Sequence, residues 1–586
     1  MAMKIGTKES SLEDIRHSLA HVLAMAVLKK FPKAKLGVGP VVENGFYYDF
    51  LPPLPITDKD LPELENSMRE IIKQNLPFTG KKTSALEAKR KFKSQPFKLE
   101  LISDFIKEKK PLTVYKTGDT FEDLCRGGHV KNTKEILPDS FKLDKIAGAY
   151  WKGDEKNKQL TRIYGLAFES REKLNGFLKM REEAEKRDHR KLGTELDLFV
   201  FSDLVGAGLP LWTPKGTTLR NLLDDFVWEL RKARGYERVD IPHITKKELY
   251  ETSGHWDKFK NELLHITTRE GHEFAVKPMN CPHHIQIYSR KKWSYRELPQ
   301  RYASTTKVYR DEQTGELHGL SRVRSITQDD AHVFCRESQA EEEISNIWDI
   351  VHEFYKGVGF GELKVRLSLH DPKHSKNYLG KPAVWKRAES QLREVIKKKG
   401  VKSMEALGEA AFYGPKIDFL AHDSIGREWQ VATIQLDMNM PERFNLTCVN
   451  ESGKTERIVM LHAAIMGAIE RFLSILIEHY AGAFPLWISP VQAMILPVSE
   501  KVAGYAKEVM GELKTANVRT EIDESNETLG KRIREAKLQK IPYIVVVGEK
   551  EKQSGLVSAQ SRSRDLGVIP TKKFIDLISR EVSEKK

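Results

Sequence analysis

Two arginines stand in contexts suited to binding a phosphate or a carboxylate. Arg310 ends a strand-like run and is followed by Asp311 and Glu312, and Arg471 lies in the helix-like segment GAIERF. The arginine guanidinium is a rigid fork that binds pairs of carboxylate or phosphate oxygens. A polar loop and a second strand-like run follow Arg310, so this segment could clamp a nucleotide. An ordinary charged hairpin would give the same local pattern.

A second group of candidates lies inside otherwise apolar strand-like runs. Buried polar groups cost free energy unless they are hydrogen-bonded, so clusters of them often line a pocket. Cys281, His332 and His462 could add a zinc site with one open position, because zinc binds thiolate and imidazole. Spacing alone favours a core cysteine and hydrogen-bonded core histidines over a metal site. The other polar residues of these runs are Gln328, Asp329, Asp330, Gln430 and Gln435.

The N-terminal part carries a second pattern of cysteine and histidine. His17 and His21 are four residues apart in RHSLAHVLAMA, which places them on one face of a helix. Cys125 and His129 are also four residues apart, with two glycines between them that predict an open loop. Two such pairs make a fair zinc pattern, and hydrogen-bonded structural histidines are the alternative.

Length and composition describe a multidomain globular chain. The 586 residues are 40% hydrophobic and 31% charged, and the net charge of +14 favours a polyanionic partner over solvated surface lysine. The sequence has no run of 18 apolar residues and no apolar signal-peptide core, so we expect neither a transmembrane helix nor a membrane partner. Four widely spaced cysteines predict a reduced, cytoplasmic protein.

The elements that must position these residues predict an α+β protein. Residues 1–170 mix helices and strands, and the polar, helix-favouring residues 171–192 predict an exposed linker helix. Residues 193–487 contain strand-like runs at hairpin spacing, which predicts an antiparallel sheet. This block ends in LHAAIMGAIERFLSILIEHY, where apolar residues from Ala464 to Leu476 recur at helical spacing.

The last part of the chain, residues 488–586, alternates strand-like and helix-like runs. Such alternation predicts a small parallel or mixed sheet with crossover helices. A basic cluster on one of these helices could follow a phosphate backbone, and a solvated helix face would look the same. Its members are Lys531, Arg532, Arg534, Lys537 and Lys540.

Several segments make the chain recognisable. In chain order, GLPLWTPKGTTLRNLLDDFVWELRKARGYERVDIP, KVYRDEQTGELHGLSRVRSITQDDAHVF and GAIERFLSILIEHYAGAFPLW resemble the three motifs of class II aminoacyl-tRNA synthetases. VKPMNCPHH, AFYGPKIDF and WQVATIQLD resemble the threonyl-tRNA synthetase family in particular. The resemblance implies an N-terminal α+β editing domain (1–170), a class II antiparallel-sheet catalytic domain (193–487) and a C-terminal α/β anticodon-binding domain (488–586). It also implies that the ubiquitin-like domain that often precedes the editing domain is missing.

By this resemblance, the chain would activate threonine with ATP and transfer it to tRNA(Thr). Arg310 would bind the α-phosphate and the threonine carboxylate, Glu312 would orient adenine, and Arg322 and Arg471 would hold the β- and γ-phosphates beside Mg²⁺. Positioning and arginine charge would then promote in-line displacement at phosphorus. The other implied catalytic and substrate-binding residues are Lys416, Gln328, Met279, Asp330, Tyr413, Gln430 and Gln435.

Cys281, His332 and His462 match the zinc ligands of the family, with one ion per subunit. In the family, zinc binds the amino and hydroxyl groups of threonine, so valine is rejected, and Asp330 would accept from the hydroxyl. Serine lacks only a methyl group, worth about 1–3 kcal/mol, so a second, hydrolytic site is expected. The residues that match the family's metal-free editing site are His17, His21, Lys98, Asp123, Cys125 and His129.

The resemblance extends to tRNA binding and assembly. Asn526, Lys550 and Glu551 align with anticodon-reading positions, and the first motif implies a homodimer. Some residues depart from the family pattern: Gly128 in the editing motif, Gln560 at an anticodon-reading position, and Ile326, Ala463 and Ala468 at the activation pocket. We expect this altered pocket to lower sensitivity to inhibitors that fill it.

Three other functions fit parts of the sequence. A catalytically idle, RNA-binding regulator would have no need for Arg310 and Arg471. A synthetase for serine or proline would leave the Cys/His/His trio unexplained. A metal-dependent hydrolase built on the N-terminal histidines would leave the nucleotide-binding motifs unexplained.

Overall fold

The computed structural model describes residues 11–585. The chain divides into two compact units, Met1–Glu182 and Glu183–Lys586. No helix within residues 11–585 is both long enough and apolar enough to cross a membrane.

The first unit packs helices against small antiparallel sheets. Its elements are α1 (Leu12–Lys30), α2 (Leu61–Lys73), α3 (Ala85–Lys91), α4 (Pro96–Lys107), β1 (Lys35–Leu36), β2 (Val41–Val42), β3 (Gly45–Leu51), β4 (Phe78–Lys82), β5 (Thr113–Thr117), β6 (Phe121–Leu124), β7 (Phe141–Tyr150) and β8 (Gln159–Ala167). Ser11 and Asp14 form a reciprocal capping box at the start of α1. Apolar residues of α1 are buried against β3 and β8, in the sheet of order β1-β3-β8-β7, and β4-β5-β6 forms a second sheet.

The segment predicted as one exposed linker helix, residues 171–192, forms parts of two helices. These are α5 (Arg171–Lys186) and α6 (His189–Glu195). The chain breaks between them because the Asp188 side chain accepts a hydrogen bond from the Arg190 N–H and begins a new helix. The prediction of a single exposed helix is therefore wrong, and His189 and Leu192 of α6 are buried.

The second unit contains an eight-stranded sheet with helices on its apolar face. Its elements up to residue 480 are α7 (Pro214–Lys232), α8 (Lys247–Ser253), α9 (His255–Lys258), α10 (Cys281–Tyr288), α11 (Ala340–Gly357), α12 (Pro382–Lys398), α13 (Asn439–Arg443), α14 (Ile469–Tyr480), β9 (Phe199–Val200), β10 (Leu211–Trp212), β11 (Glu237–Arg238), β12 (Ile244–Lys246), β13 (His265–Thr267), β14 (Glu273–Val276), β15 (Trp293–Ser294), β16 (Gln300–Tyr309), β17 (Ser325–Cys335), β18 (Lys364–Leu369), β19 (Ser403–Leu407), β20 (Lys416–His422), β21 (Glu428–Asp437), β22 (Thr447–Val449), β23 (Thr455–Arg457) and β24 (Val459–Ala464). The sheet order is β11-β16-β17-β24-β21-β20-β18-β19. Its neighbours are antiparallel except for β11 with β16 and β18 with β19, which confirms the predicted antiparallel core.

The helix predicted from the apolar pattern between Ala464 and Leu476 begins only at Ile469. Ala464 belongs to β24, which is held between β17 and β21, and a turn follows it. The Asp329 carboxylate accepts the main-chain N–H groups of Ile465 and Met466 and stabilises this turn. The helical spacing of the apolar residues therefore gave a wrong prediction for Ala464, which lies in a strand that is buried in the sheet.

The C-terminal part of the second unit forms a mixed sheet of order β26-β25-β27-β28-β29, as predicted. Its elements are β25 (Ala493–Pro497), β26 (Thr520–Ile522), β27 (Tyr543–Val547), β28 (Leu556–Ser561), β29 (Asp565–Pro570), α15 (Ala503–Thr515), α16 (Leu529–Leu538), α17 (Glu549–Ser554) and α18 (Thr571–Ser583). The predicted basic cluster is only partly on the surface. Arg532 is buried and donates to the carbonyls of Asp523 and Pro497, and Lys540 lies beyond the end of α16.

Candidate functional site

One face of the eight-stranded sheet lines a cavity of about 820 Å³. Along β17, Gln328, Asp330 and His332 border the cavity, whereas Ala331 and Val333 lie in the hydrophobic core. This alternation follows the pleat of a strand and explains why polar residues interrupt apolar runs. The predicted residues that line the cavity are Met279, Arg310, Glu312, Arg322, Gln328, Asp330, His332, Tyr413, Lys416, Gln430, Gln435, His462 and Arg471.

The three predicted metal ligands lie together beside this cavity. Ligand atoms of Cys281, His332 and His462 are all within 4.8 Å of one another, and all three residues are buried. The strand register places His332 opposite His462, with His332 Nε2 3.0 Å from His462 Nδ1. A sulfur and two imidazole nitrogens are a donor set that suits zinc and not Mg²⁺. Geometry and chemistry of the residues therefore fit a zinc ion.

Buried neighbouring residues orient the rings of both His332 and His462. The sequence alone indicated neither of these neighbours. His462 Nε2 lies 3.0 Å from Asp437 Oδ2, which directs Nδ1 of the ring toward the trio. His332 Nδ1 lies 2.7 Å from His284 Nδ1, which directs Nε2 of His332 the same way. Burial raises the pKa of the Cys281 thiol well above its ordinary value, so its thiolate would need a bound cation.

Two arginines bring positive charge to the cavity. Arg310 Nη2 contacts the Met279 sulfur at 3.4 Å, its guanidinium lies over the Phe259 ring, and its Nε atom has no hydrogen-bond partner. Arg471 also lines the cavity; it is exposed to solvent there, and partial desolvation by the surrounding protein lowers the pKa of its guanidinium. A guanidinium with an N–H group that lacks an acceptor, as in Arg310, favours an anionic ligand.

The predicted adenine-orienting and phosphate-binding residues contact each other. Arg322 Nη2 lies 2.7 Å from a Glu312 oxygen and 3.1 Å from a Glu316 oxygen, on the segment that joins β16 and β17. The Arg322 side chain is 48% exposed. The Glu312 side chain is only 12% exposed, so the accessible side of the pair is the Arg322 guanidinium, which a nucleotide phosphate can reach from solvent.

A buried polar network surrounds the candidate amino-acid subsite. Asp330 accepts a hydrogen bond from Asn280 Nδ2 at 3.1 Å, and burial raises the pKa of its carboxyl. Gln430 Nε2 donates to Asp418 at 2.8 Å, and Lys416 Nζ lies 3.1 Å from the same carboxylate. Asn280 and Asp418 were not predicted from the sequence. For Asp418 the available signal was its place two residues after Lys416 in β20, whereas Asn280 precedes α10 and had no periodic signal.

The N-terminal histidines and cysteine form a compact cluster in the first unit. Cys125 Sγ lies 3.4 Å from His17 Nε2 and 3.2 Å from His129 Nε2. Burial lowers the pKa of His129 to about 2 and raises that of Cys125 to about 11, so both side chains are neutral at pH 7. Gly128 has φ +84°, a backbone conformation that favours glycine.

Lys98 and Asp123, the other two predicted editing residues, form a buried ion pair next to His21. Tyr48 OH donates to Asp123 Oδ2 at 2.5 Å and accepts from Lys98 Nζ at 3.1 Å. His21 Nε2 lies 3.8 Å from Asp123 Oδ2, and His21 Nδ1 has no hydrogen-bond partner. The structure thus brings all six predicted residues into one region of the first unit.

The predicted anticodon-reading residues lie at one edge of the C-terminal sheet. Asn526 follows β26, and Lys550 and Glu551 lie on α17 after β27. Because β26 and β27 both pair in parallel with β25, their carboxyl ends share an edge. Glu551 already accepts the main-chain N–H of Gly548 at 2.9 Å, so one of its oxygens caps α17.

Comparisons with protein families agree with this geometry. Residues 259–480 match the class II core domain of tRNA synthetases for G, H, P, S and T, and residues 492–581 match an anticodon-binding domain. Residues 112–164 match the second additional domain of threonyl- and alanyl-tRNA synthetases. The fold and the site define a class II aminoacyl-tRNA synthetase, as the sequence predicted.

Whole-chain relatives narrow this class to one family. The threonine–tRNA ligase of Gloeobacter violaceus is 47% identical and covers 98% of this chain and 93% of its own length. That of a Thermus thermophilus strain is 48% identical over 97% of this chain and 89% of its own length. The chain therefore belongs to the threonine–tRNA ligase family.

Solved structures support the same assignment. The RNA-binding domain of threonyl-tRNA synthetase from Cryptosporidium parvum Iowa II has a TM-score of 0.64 and 37% identity, covering 67% of this chain and 98% of its own. A putative threonyl-tRNA synthetase from Aeropyrum pernix has a TM-score of 0.60 and 29% identity, covering 68% of this chain and 97% of its own.

Proposed function

We propose that this protein is a threonine–tRNA ligase that activates threonine with ATP and transfers it to tRNA(Thr). One observation carries the proposal: His332 and His462 line the same cavity as Arg310 and Arg471, and Cys281 lies against these two histidines. A metal ion held by these three residues suits recognition of a small amino acid. The arginines suit binding of its carboxylate and of the ATP phosphates. Together they bring both substrates to one place.

The activation step requires positioning and charge. Arg310 binds the α-phosphate and the threonine carboxylate, while Arg322 and Arg471 hold the outer phosphates, whose charge Mg²⁺ shares. Glu312 orients the adenine and Met279 packs against Arg310. Gln328 and Lys416 orient the reacting groups, and Gln435 supports the wall through its hydrogen bond to the Gly414 carbonyl. Each cation stabilises charge that develops on phosphate oxygens.

Selection for threonine depends on groups in the site that bind the hydroxyl of the amino-acid substrate. When bound by Cys281, His332 and His462, zinc would supply a Lewis-acid contact to the amino and hydroxyl groups of threonine. Asp330 is fixed by Asn280 and accepts from the hydroxyl, and Tyr413 and Gln430 close the subsite. A site built to hydrogen-bond a hydroxyl rejects an analogue that lacks it, here valine, because buried polar groups stay unpaired.

A second site removes serine. Lys98 and Asp123 fix one side of the N-terminal cluster, while His17, His21, Cys125 and His129 position a water and the terminal adenosine of seryl-tRNA(Thr). Neutral imidazoles and a neutral thiol can orient water by hydrogen bonding, without a metal.

The remaining assignments concern organisation. We propose an editing domain at 1–170, a linker at 171–192, a catalytic domain at 193–487 and an anticodon-binding domain at 488–586. Asn526, Lys550 and Glu551 read the anticodon, and two copies associate through the first class II motif. We place the protein in the cytoplasm.

Threonine-dependent exchange of pyrophosphate into ATP tests the activation step. The proposal expects exchange with threonine that far exceeds exchange with valine, and subsequent threonylation of tRNA(Thr). Binding of tRNA without any exchange would instead support the catalytically idle regulator.

A further inference from the structure

His189 joins three segments of the second unit that are far apart in sequence. It is the first residue of α6 and is 1% exposed. Its Nδ1 lies 2.6 Å from Glu478 Oε1, and its main-chain N–H donates to the same oxygen at 3.2 Å. Its Nε2 accepts the main-chain N–H of Leu320 at 3.0 Å. Both ring nitrogens are therefore engaged, with the proton on Nδ1.

This junction is a hydrogen-bonded support and not a metal site. Ligand atoms of Asp188, His189 and Glu478 lie within 4.8 Å of one another. However, the Leu320 N–H occupies His189 Nε2, while Arg190 pairs with Asp188 and Arg427 Nη2 lies 2.5 Å from Glu478 Oε2. Arginines neutralise both carboxylates, and the imidazole already accepts a hydrogen bond. These three side chains therefore cannot serve as ligands for a cation.

The loop that His189 holds belongs to the cavity wall. Leu320, Ser321 and Arg322 all line the cavity. The backbone of this loop approaches the imidazole so closely that a Cβ atom at Gly319 would lie 2.3 Å from His189 Nε2. Gly319 also has φ +50°, a conformation that favours glycine. Both this backbone conformation and the close approach of the imidazole therefore require glycine here.

We propose that His189 is a positioning residue for ATP: its Nε2 fixes the Leu320 main chain and thereby the direction of Arg322 in the cavity. The proposal rests on the assignment of this cavity to ATP. Glu478, near the end of α14, holds the ring in the tautomer that can accept from Leu320. Arg471 lies on the same helix, so one junction sets the relative placement of the two candidate phosphate-binding arginines.

Two conservative variants separate positioning from packing. In His189→Gln, the amide oxygen can take the place of Nε2 and accept from Leu320. In His189→Asn, the shorter amide can take the place of Nδ1 and contact Glu478, but it leaves the Leu320 N–H without its acceptor. A buried N–H without an acceptor destabilises the loop conformation that presents Arg322 to the cavity. We therefore expect His189→Asn to raise the KM for ATP about tenfold, and His189→Gln to stay within about threefold of the parent.

His370 supplies a matched control. Its Nδ1 and main-chain N–H contact Glu389 Oε1 at 2.6 and 3.2 Å, the same arrangement as at His189, and it does not line the cavity. His370→Asn should lower thermal stability without changing the KM for ATP. The KM for threonine should stay constant in all of these variants.

Hydrogen exchange of the peptide that contains Leu320 decides the inference independently of catalysis. We expect faster exchange in His189→Asn than in the parent, and near-parental exchange in His189→Gln and His370→Asn. Equal exchange in all four proteins, or an equal rise in KM in both His189 variants, would overturn the proposal. If the parent lacks pyrophosphate exchange, the proposed function fails, whereas the Leu320 exchange pattern still tests the hydrogen bond.

Discussion

Replacing Asp437 by asparagine should weaken zinc binding without unfolding the protein. Asp437 is fully buried, and its Oδ1 accepts the main-chain N–H groups of Asn439 and Met440 at 2.8 and 2.9 Å. Its Oδ2 faces His462 Nε2 at 3.0 Å. The carboxylate therefore keeps the proton on Nε2 and leaves Nδ1 free for a metal.

An amide at this position favours the other tautomer. Its oxygen must still accept the two main-chain N–H groups, so its NH₂ group faces Nε2 and requires a bare nitrogen there. The imidazole proton then lies on Nδ1, which blocks the metal. Loss of such a partner typically lowers metal affinity 10–100-fold, or about 1.4–2.7 kcal/mol.

Competition with a zinc chelator measures this loss. Asp423 is the control, because its Oδ1 also accepts two main-chain N–H groups, of Ile425 and Arg427, and its Oδ2 contacts Trp429 and the Arg427 guanidinium instead of a candidate ligand. We expect a 10–100-fold loss in Asp437→Asn and less than a threefold change in Asp423→Asn. Equal affinities in Asp437→Asn and the parent would refute the tautomer argument.

Three further predictions address recognition, editing and titration. Asp330→Asn should lower the ratio of threonine to valine in pyrophosphate exchange at least tenfold, because the hydroxyl loses its charged acceptor; an unchanged ratio would contradict the assigned role. Replacing His17 and His21 by alanine should slow deacylation of seryl-tRNA(Thr) about 100-fold or more while threonylation continues, and unchanged deacylation would argue against the editing site. Because burial raises the pKa of Cys125 to about 11, its alkylation, followed by peptide mass spectrometry, should stay slow at pH 7–8 and still increase above pH 10; a rate that levels off by pH 10 would show an ordinary thiol.

Sequence patterns predicted the parts of this protein that depend on local periodicity. The alternation in β17 indicated a strand with one polar face, and the structure places Gln328, Asp330 and His332 on that face. Alternating strand and helix signals likewise indicated the mixed C-terminal sheet. The resemblance supplied what periodicity could not, namely that Cys281 and His462 would lie beside His332.

Features that depend on contacts between distant segments escaped prediction. Ala464 fits a helical repeat, but pairing of β24 between two strands outweighs that preference. Arg532 appeared as one cation of a surface cluster, whereas main-chain carbonyls of two other segments bury it. Asp437, His284 and Asn280 support the candidate site through contacts across strands and helices, which no local pattern records.

Anomalous diffraction at the zinc edge, on crystals grown with zinc and threonine, tests the central claim most directly. The account predicts one strong peak within bonding distance of Cys281 Sγ, His332 Nε2 and His462 Nδ1, with the threonine amino and hydroxyl groups completing the coordination. The absence of a zinc peak at these three residues, or threonine bound elsewhere in the cavity, would contradict the account.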